Sequence, residues 1–239
     1  MPNMKNLFKK PDRKERAGAE EAMGPKAGRA GRAEPKTRIY LIRHGEPEQH
    51  SGKIFLGQYD VPLSENGKHQ ASMAGDSLAR RQARPKRIHT SDLLRARETA
   101  DIIAEKLGGI PVMPDKLFRE MAMGIWDGEL IEDIKEKFPE EYAKRGDDLR
   151  NYRVPGGENF YDLYGRVTRE FYRVFAQDIQ NGGGDPGDLV IVAHLGVINA
   201  LAEDLHKGSS GPYRPKHFST GEIVAIDVPE WLLPLRGSL

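Results

Sequence analysis

Two histidines and two arginines in this chain stand where apolar runs stop, and their side chains suit one kind of chemistry. The segment IYLIRHGEPEQH (Ile39–His50) carries Tyr40, Leu41 and Ile42, then Arg43 and His44 with no spacer, then Gly45. A second apolar run, LVIVAHLG, delivers His194 in the same way. A third, KRIHTS, is followed at once by a segment holding Arg95 and Arg97. Arginine presents a planar fork of donors that matches a phosphate, and helix N-termini add backbone N–H groups. An imidazole can attack phosphorus when a neighbour fixes its tautomer. One polar residue at a strand end is ordinary. Two histidines and at least one arginine at three strand ends together point to an oxyanion site.

Other chemistries lack their residues. With no cysteine there is no thiolate nucleophile, disulfide framework or cysteine zinc site. No His-x-His or His-Glu-x-x-His pattern occurs, nor a Gly-x-Ser-x-Gly elbow. Gly67-Lys68 lacks the earlier glycine of a phosphate-cradling loop, since Pro62 stands in its place.

Strands and helices must alternate to position these residues. TRIYLIR reads as a strand, and Ser64 is placed to cap a helix running through Arg81, with Gly67 weakening its first turn. KRIHTS is a short strand, and Ser91 is placed to cap a helix ending at Gly108–Gly109, whose apolar residues Leu93, Ala96, Ala100, Ile103, Ala104 and Leu107 recur at helical spacing. IPVMP is a third strand, charged helical segments follow around 131–144, and a longer helix spans about 159–180. NGGGDPGD is a loop, LVIVAHLGVINALAEDL a buried strand turning at His194 into a helix, and GEIVAIDV a last strand. This order predicts an α/β fold, a three-layer α/β/α sandwich with a mostly parallel central sheet. In such sheets ligands sit beyond the carboxyl ends of the strands.

Composition sets the outer bounds. The chain has 239 residues, 38% hydrophobic and 31% charged, ordinary for a protein with a real core. Residues 1–36 hold ten Lys/Arg against five Asp/Glu and are rich in Ala, Gly and Pro, so a disordered basic tail is expected ahead of a domain over 37–239. A solvated extension is preferred to an arm for nucleic acid or lipid, because the basic residues have no aromatic interleaving. No apolar run spans a bilayer and no signal-peptide pattern opens the chain. The expected setting is cytoplasmic, as a monomer or homodimer, with no nucleic-acid or membrane partner.

Five ordered blocks resemble the histidine phosphatase superfamily, the phosphoglycerate mutase-like family. They are LIRHGE (41–46), GQYDVPLSENGKHQA (57–71), TSDLLRARETA (90–100), REMAMGIWDG (119–128) and VAHLGVINAL (192–201), and the likeness runs from Thr37 to about Val228. The resemblance implies that His44 attacks the phosphoryl group, that Arg43, Arg95 and His194 bind its oxygens, and that Glu120 protonates the leaving alkoxide and then activates water. It selects Arg95 over Arg97, which point about 200° apart on one helix. Substrate contacts are implied at Gly57, at the Leu195 backbone and at position 50, where His50 replaces the family's frequent asparagine. Leu195 likewise stands where glycine is frequent, and Trp126 is expected to be core packing. No metal and no cofactor are expected, and His69, His89, His206 and His217 match no catalytic position. The implied activity is hydrolysis of a small phosphorylated metabolite, such as α-ribazole phosphate or a sugar phosphate. Alternatives are a phosphoglycerate mutase or a non-catalytic phospho-ligand-binding protein. Met121, Met123 and Leu56 stand where mutases carry Arg, Tyr and Ser or Thr, which favours hydrolysis.

Overall fold

The structure, a computed structural model, describes residues 37–48, 52–180, 187–207 and 215–232. The expectations for residues 1–36 and for His50 lie outside the described residues. Strand β1 (Arg38–Arg43) leads to helix α1 (Glu65–Arg80), β2 (Pro85–Thr90), α2 (Leu94–Lys106) and the short β3 (Val112–Pro114). Two single 3₁₀ turns, α3 (Ile131–Lys137), α4 (Pro139–Asp147) and the long α5 (Phe160–Gln180) follow. The chain then forms β4 (Asp188–Ala193), α6 (Leu195–Leu205) and β5 (Ile223–Asp227).

The five strands lie in the order β3-β2-β4-β1-β5, parallel except for β5, which runs antiparallel to β1 at the edge. The expected three-layer sandwich with a mostly parallel sheet is the fold observed. Period-two alternation builds the layers. Ile39, Leu41, Leu189, Ile191 and Ala193 join the large cluster under α5 and α6. Tyr40, Ile42, Val190 and Val192 join the cluster under α1 and α2. A third, small cluster of Met123, Trp126, Ile134 and Val154, with Phe55 and Tyr142 against it, holds the 119–158 excursion together. Trp126 is 1% exposed, so it is core packing as expected.

Two local readings change. Helix α2 begins at Leu94 without a side-chain cap from its own N-cap residue Leu93. Ser91 Oγ accepts only the Leu93 N–H, at 3.3 Å, while Asp60, far back in the chain, accepts the Leu94 N–H at 2.7 Å. The charged helical segments expected around 131–144 are two helices, split at Phe138 because Pro139 fits the first position of α4 but cannot continue α3. Ser64 caps α1 as expected, accepting the Gly67 N–H at 3.0 Å. Gly67 itself is a requirement rather than a weakness, since a Cβ there would lie 2.0 Å from the Glu46 carbonyl oxygen. That close approach seats the turn after His44 against the start of α1.

Candidate active site

Sheet register brings the three strand ends level. Arg43 pairs with Ala193, and Thr90 with Val192, so the residues that follow emerge side by side. The His44 N–H donates to the Ala193 carbonyl at 2.9 Å and the Ser91 N–H to that of Val192 at 3.1 Å. The rings of His44 and His194 then stand 5.0 Å apart, centre to centre. The turn at Gly45 is fixed from α2: Thr99 Oγ1 accepts the Gly45 N–H at 2.9 Å and donates to the Arg95 carbonyl at 2.7 Å.

His44 is 3% exposed, and its Nδ1 lies 2.7 Å from the Gly45 carbonyl oxygen. A carbonyl can only accept, so the proton sits on Nδ1 and Nε2 keeps its lone pair. Burial, then the charge of Arg95 and that of Arg43, pushes the imidazole pKa down to about 3, against the pull of the Gly45 bond. Burial and Arg95 likewise hold His194 well below the usual histidine range. Both rings are therefore neutral near neutral pH.

That depression has a stability consequence. An unfolded histidine titrates near 6.5, whereas native His44 waits until about 3. Across that window the unfolded chain binds the extra proton. Stability is therefore full above 6.5 and falls as pH drops, by roughly 2 kcal/mol for this one group at about pH 5. Urea denaturation of His44→Asn at about pH 7 and pH 5 should show a correspondingly smaller loss than the parent chain. Equal losses would mean that His44 is not held neutral.

Arg95 is 1% exposed, and its Nη1 and Nη2 donate to the carbonyls of Tyr59 at 2.9 Å and Gly57 at 2.7 Å. Burial lowers its pKa to about 10, opposed by Glu120, Asp60 and Asp127. Arg43 donates Nη1 to the Phe218 carbonyl at 2.6 Å, and burial lowers its pKa against the charges of Glu120 and Glu222. Arg97 is exposed, as expected of the helix's other side. Among the described residues, the buried side-chain polar atoms without a hydrogen-bond partner are Arg43 Nε, Arg95 Nε, both ring nitrogens of His194, and Asp178 Oδ1. A buried donor left unmade costs about 1–3 kcal/mol. The two arginine Nε–H groups and the single N–H of the neutral His194 ring form a cradle of donors for an oxyanion beside His44.

Glu120 closes the far side. Its Oε2 accepts the Gly196 N–H at 3.1 Å and its Oε1 the Met121 N–H at 2.9 Å. A Cβ at Gly196 would lie 2.4 Å from Glu120 Oε1, so a larger residue there would displace the Glu120 carboxylate. Leu195, the first residue of α6, packs its side chain against the large core cluster. Its N–H is one of the helix-terminal donors with no intrahelical partner. Gly57 acts on this site through its carbonyl, which holds Arg95. Thus His44, His194, Arg43, Arg95 and Glu120 come together, Gly57 and Leu195 border them, and His50 is outside the described residues. No group of three or more His, Asp or Glu side chains able to hold a metal occurs among the described residues; the positive charge beside His44 comes from arginine.

Sequence reasoning missed the frame that aims Glu120. Arg166, on α5, donates Nη1 to the carbonyls of Leu117 and Arg119 at 2.9 and 2.8 Å, and Nη2 to that of Glu120 at 2.9 Å. Glu158 takes Arg166 at 2.7 Å through both oxygens and also accepts the Ala122 N–H at 3.0 Å. Nothing in a charged amphipathic helix distinguishes such an arginine from a solvated one. Arg166 is thus a positioning residue. Arg166→Met should lower kcat by about 10²-fold through a displaced Glu120, more for poor leaving groups than for aryl phosphates. A loss independent of leaving group would instead indicate general damage to the fold.

Comparison with known proteins places this geometry. A family model described as the histidine phosphatase superfamily (branch 1) matches residues 39–231. The chain is 29% identical over 203 residues to phosphoglycerate mutase-like protein 4 of Arabidopsis thaliana, covering 84% of this chain and 85% of that protein. It is 34% identical over 169 residues to a glucosyl-3-phosphoglycerate phosphatase of Mycolicibacterium vanbaalenii, covering 70% and 73%. The crystal structure of an α-ribazole phosphatase from Shigella flexneri superposes with a TM-score of 0.68 at 24% identity, covering 81% of this chain and 92% of that one.

Proposed function

The chain belongs to the histidine phosphatase superfamily, and on that premise we propose that it is a phosphomonoesterase passing the phosphoryl group of a small phosphorylated metabolite to His44 and then to water. One observation carries this reading: a buried imidazole with a free Nε2 lies among four sealed, unpartnered polar atoms of Arg43, Arg95 and His194. The Nε2 lone pair would attack phosphorus, forming the N–P bond as the ester P–O bond breaks. Arg43, Arg95 and His194 would hold the equatorial oxygens as charge shifts onto them. Glu120 would give its proton to the departing alkoxide, then take one from the water that attacks phosphohistidine, so that inorganic phosphate leaves and His44 is restored.

The test is phosphate release from 4-nitrophenyl phosphate and from a panel including glucosyl-3-phosphoglycerate, α-ribazole phosphate and simple sugar phosphates. Release inhibited competitively by vanadate, which mimics the five-coordinate phosphorus, is expected. Tight phosphate binding without turnover of any ester would favour the non-catalytic reading instead. Water rather than a second hydroxyl is the expected acceptor. Met123 is 5% exposed inside the small cluster and Met121 packs on the large one, so neither offers a polar hold for a retained phosphorylated intermediate.

Glu120→Gln should lower kcat/KM for alkyl phosphates by about 10²–10⁴-fold and for activated aryl phosphates far less, since kcat/KM reports the phosphorylation step and a good leaving group needs little protonation. Equal losses would point to another acid. The same proposal takes residues 37–239 as the catalytic unit, with 1–36 dispensable for turnover. It places the protein in the cytoplasm as a monomer or homodimer, and among the described residues no helix is long and apolar enough to cross a membrane.

A further inference from the structure

The Arg95 fork is held by a turn that is itself held from the excursion after Glu120. Arg95 Nη2 donates to the Gly57 carbonyl at 2.7 Å and Nη1 to the Tyr59 carbonyl at 2.9 Å. Both terminal nitrogens are thereby tied to one turn, and the direction of the unpartnered Nε follows from where those carbonyls sit. The Gly57 carbonyl and the Gln58 N–H belong to a single peptide group, which is planar and points its donor and acceptor in opposite directions. That N–H donates to Asp127 Oδ1 at 2.9 Å. One rigid plane is therefore held by a carboxylate on one edge and by a guanidinium on the other. Asp127 Oδ1 also accepts the Met123 N–H at 3.1 Å, and Gln58 Nε2 donates to the Glu120 carbonyl at 3.1 Å, so the turn is fastened to the segment that carries the acid.

The fit at this point tolerates nothing larger. A Cβ on Gly57 would lie 1.8 Å from Asp127 Oδ1, and Gly57 has a φ of +40°, a left-handed conformation that side chains disfavour. Glycine brings the peptide close enough for the carboxylate to take the next N–H. Asp127 is half-buried; burial raises its pKa against the N–H groups of Gln58, Met123 and Gly124 and the charge of Arg95. We propose that Asp127 is a positioning residue for the phosphoryl-binding arginine: its carboxylate fixes the Gly57–Gln58 peptide plane, and that plane aims Arg95. A charge-assisted bond at each end polarises the peptide in the same sense, so the two bonds strengthen each other. This rests on the phosphomonoesterase reading given above and deepens it, by naming what sets Arg95 in register with the acid. Without the carboxylate the plane is free to rotate and the fork follows it. A misplacement of about 1 Å at a group that holds the reacting phosphoryl costs on the order of 10²-fold.

The test is a double-mutant cycle of Asp127→Ala with Arg95→Ala, read by kcat/KM for 4-nitrophenyl phosphate and by the calorimetric Kd for inorganic phosphate. Asp127→Ala alone should lower kcat/KM by about 10- to 100-fold and weaken phosphate binding by about tenfold. In the Arg95→Ala background both losses should shrink to less than about threefold, because the arginine through which Asp127 acts is gone. Asp127→Asn has the same shape and keeps an acceptor for the Gln58 N–H, so it should fold even where alanine does not. It should stay within about tenfold of the parent, and its loss too should vanish beside Arg95→Ala. A parent-like Asp127→Ala would overturn the assignment. So would losses that multiply in full with those of Arg95→Ala, since that is what an aspartate serving only the fold would give. A parent that binds phosphate yet hydrolyses no ester would overturn the phosphomonoesterase reading alone, and the phosphate arm of the cycle would still decide on Asp127. A parent that binds no phosphate would overturn both.

Discussion

Replacing His44 by alanine is expected to reduce phosphate release from every phosphomonoester by at least about 10⁴-fold. The expectation follows from what surrounds the ring. Nδ1 is committed to the Gly45 carbonyl, burial and two arginines keep the imidazole neutral, and Nε2 is the free nucleophilic atom. No neighbour can substitute. His194 is 0% exposed and its ring centre is 5.0 Å from that of His44, so it occupies the oxyanion side rather than the attacking position. His44→Asn serves as the companion variant because it fills more of the space and can keep a donor toward the Gly45 carbonyl. Both variants should still bind phosphate, since Arg43, Arg95 and His194 remain. Residual activity within tenfold of the parent would remove His44 from the chemistry.

Arg95→Ala is the second large effect, about 10³-fold or more in kcat/KM, the range seen when a phosphoryl-binding arginine is removed. Two consequences combine. The transition state loses a charged fork, and the carbonyls of Gly57 and Tyr59 lose their donors. The second loss should also lower unfolding stability, by about 2 kcal/mol. Arg95→Lys should recover little activity, because a single ammonium cannot hold two carbonyls and a phosphoryl oxygen with one geometry. Arg97→Ala, on the exposed side of the same helix, should be nearly silent. Comparable losses for the two alanine variants would mean that the helix is rotated from the orientation described.

The core of this site was legible because strand period and strand end coincide. Tyr40 and Ile42 face one layer while Ile39 and Leu41 face the other, and that alternation runs up to Arg43. The register that sets His44 beside His194 is a consequence of β1 and β4 being neighbours. Linear pattern alone does not reveal this, since the two strands are separated by most of the chain. Arg95 over Arg97 was decided by the block that holds it and agrees with burial. The misread cap at Ser91 has a simple cause: the donor it was expected to satisfy is met by Asp60, a partner that only tertiary structure supplies. Gly67 was misread for the same reason, a propensity penalty overridden by the need for close approach to Glu46. Arg166 and Glu158 were invisible for a different reason. Each lies in a charged stretch, and which of many charges turns inward depends on packing rather than on spacing.

The most direct measurement is to quench the protein during turnover of a ³²P-labelled phosphomonoester and to locate the label. The expected result is phosphate on one peptide, bound through the nitrogen of His44, stable to alkali and lost in acid. Given an activated aryl ester, whose leaving group needs little protonation, the Glu120→Gln variant should accumulate more of it, because the water that hydrolyses the intermediate is no longer activated. His44→Asn should carry none. Label on a different residue, or full turnover with no trapped phosphoprotein in either the parent or Glu120→Gln, would contradict a phosphohistidine mechanism at His44.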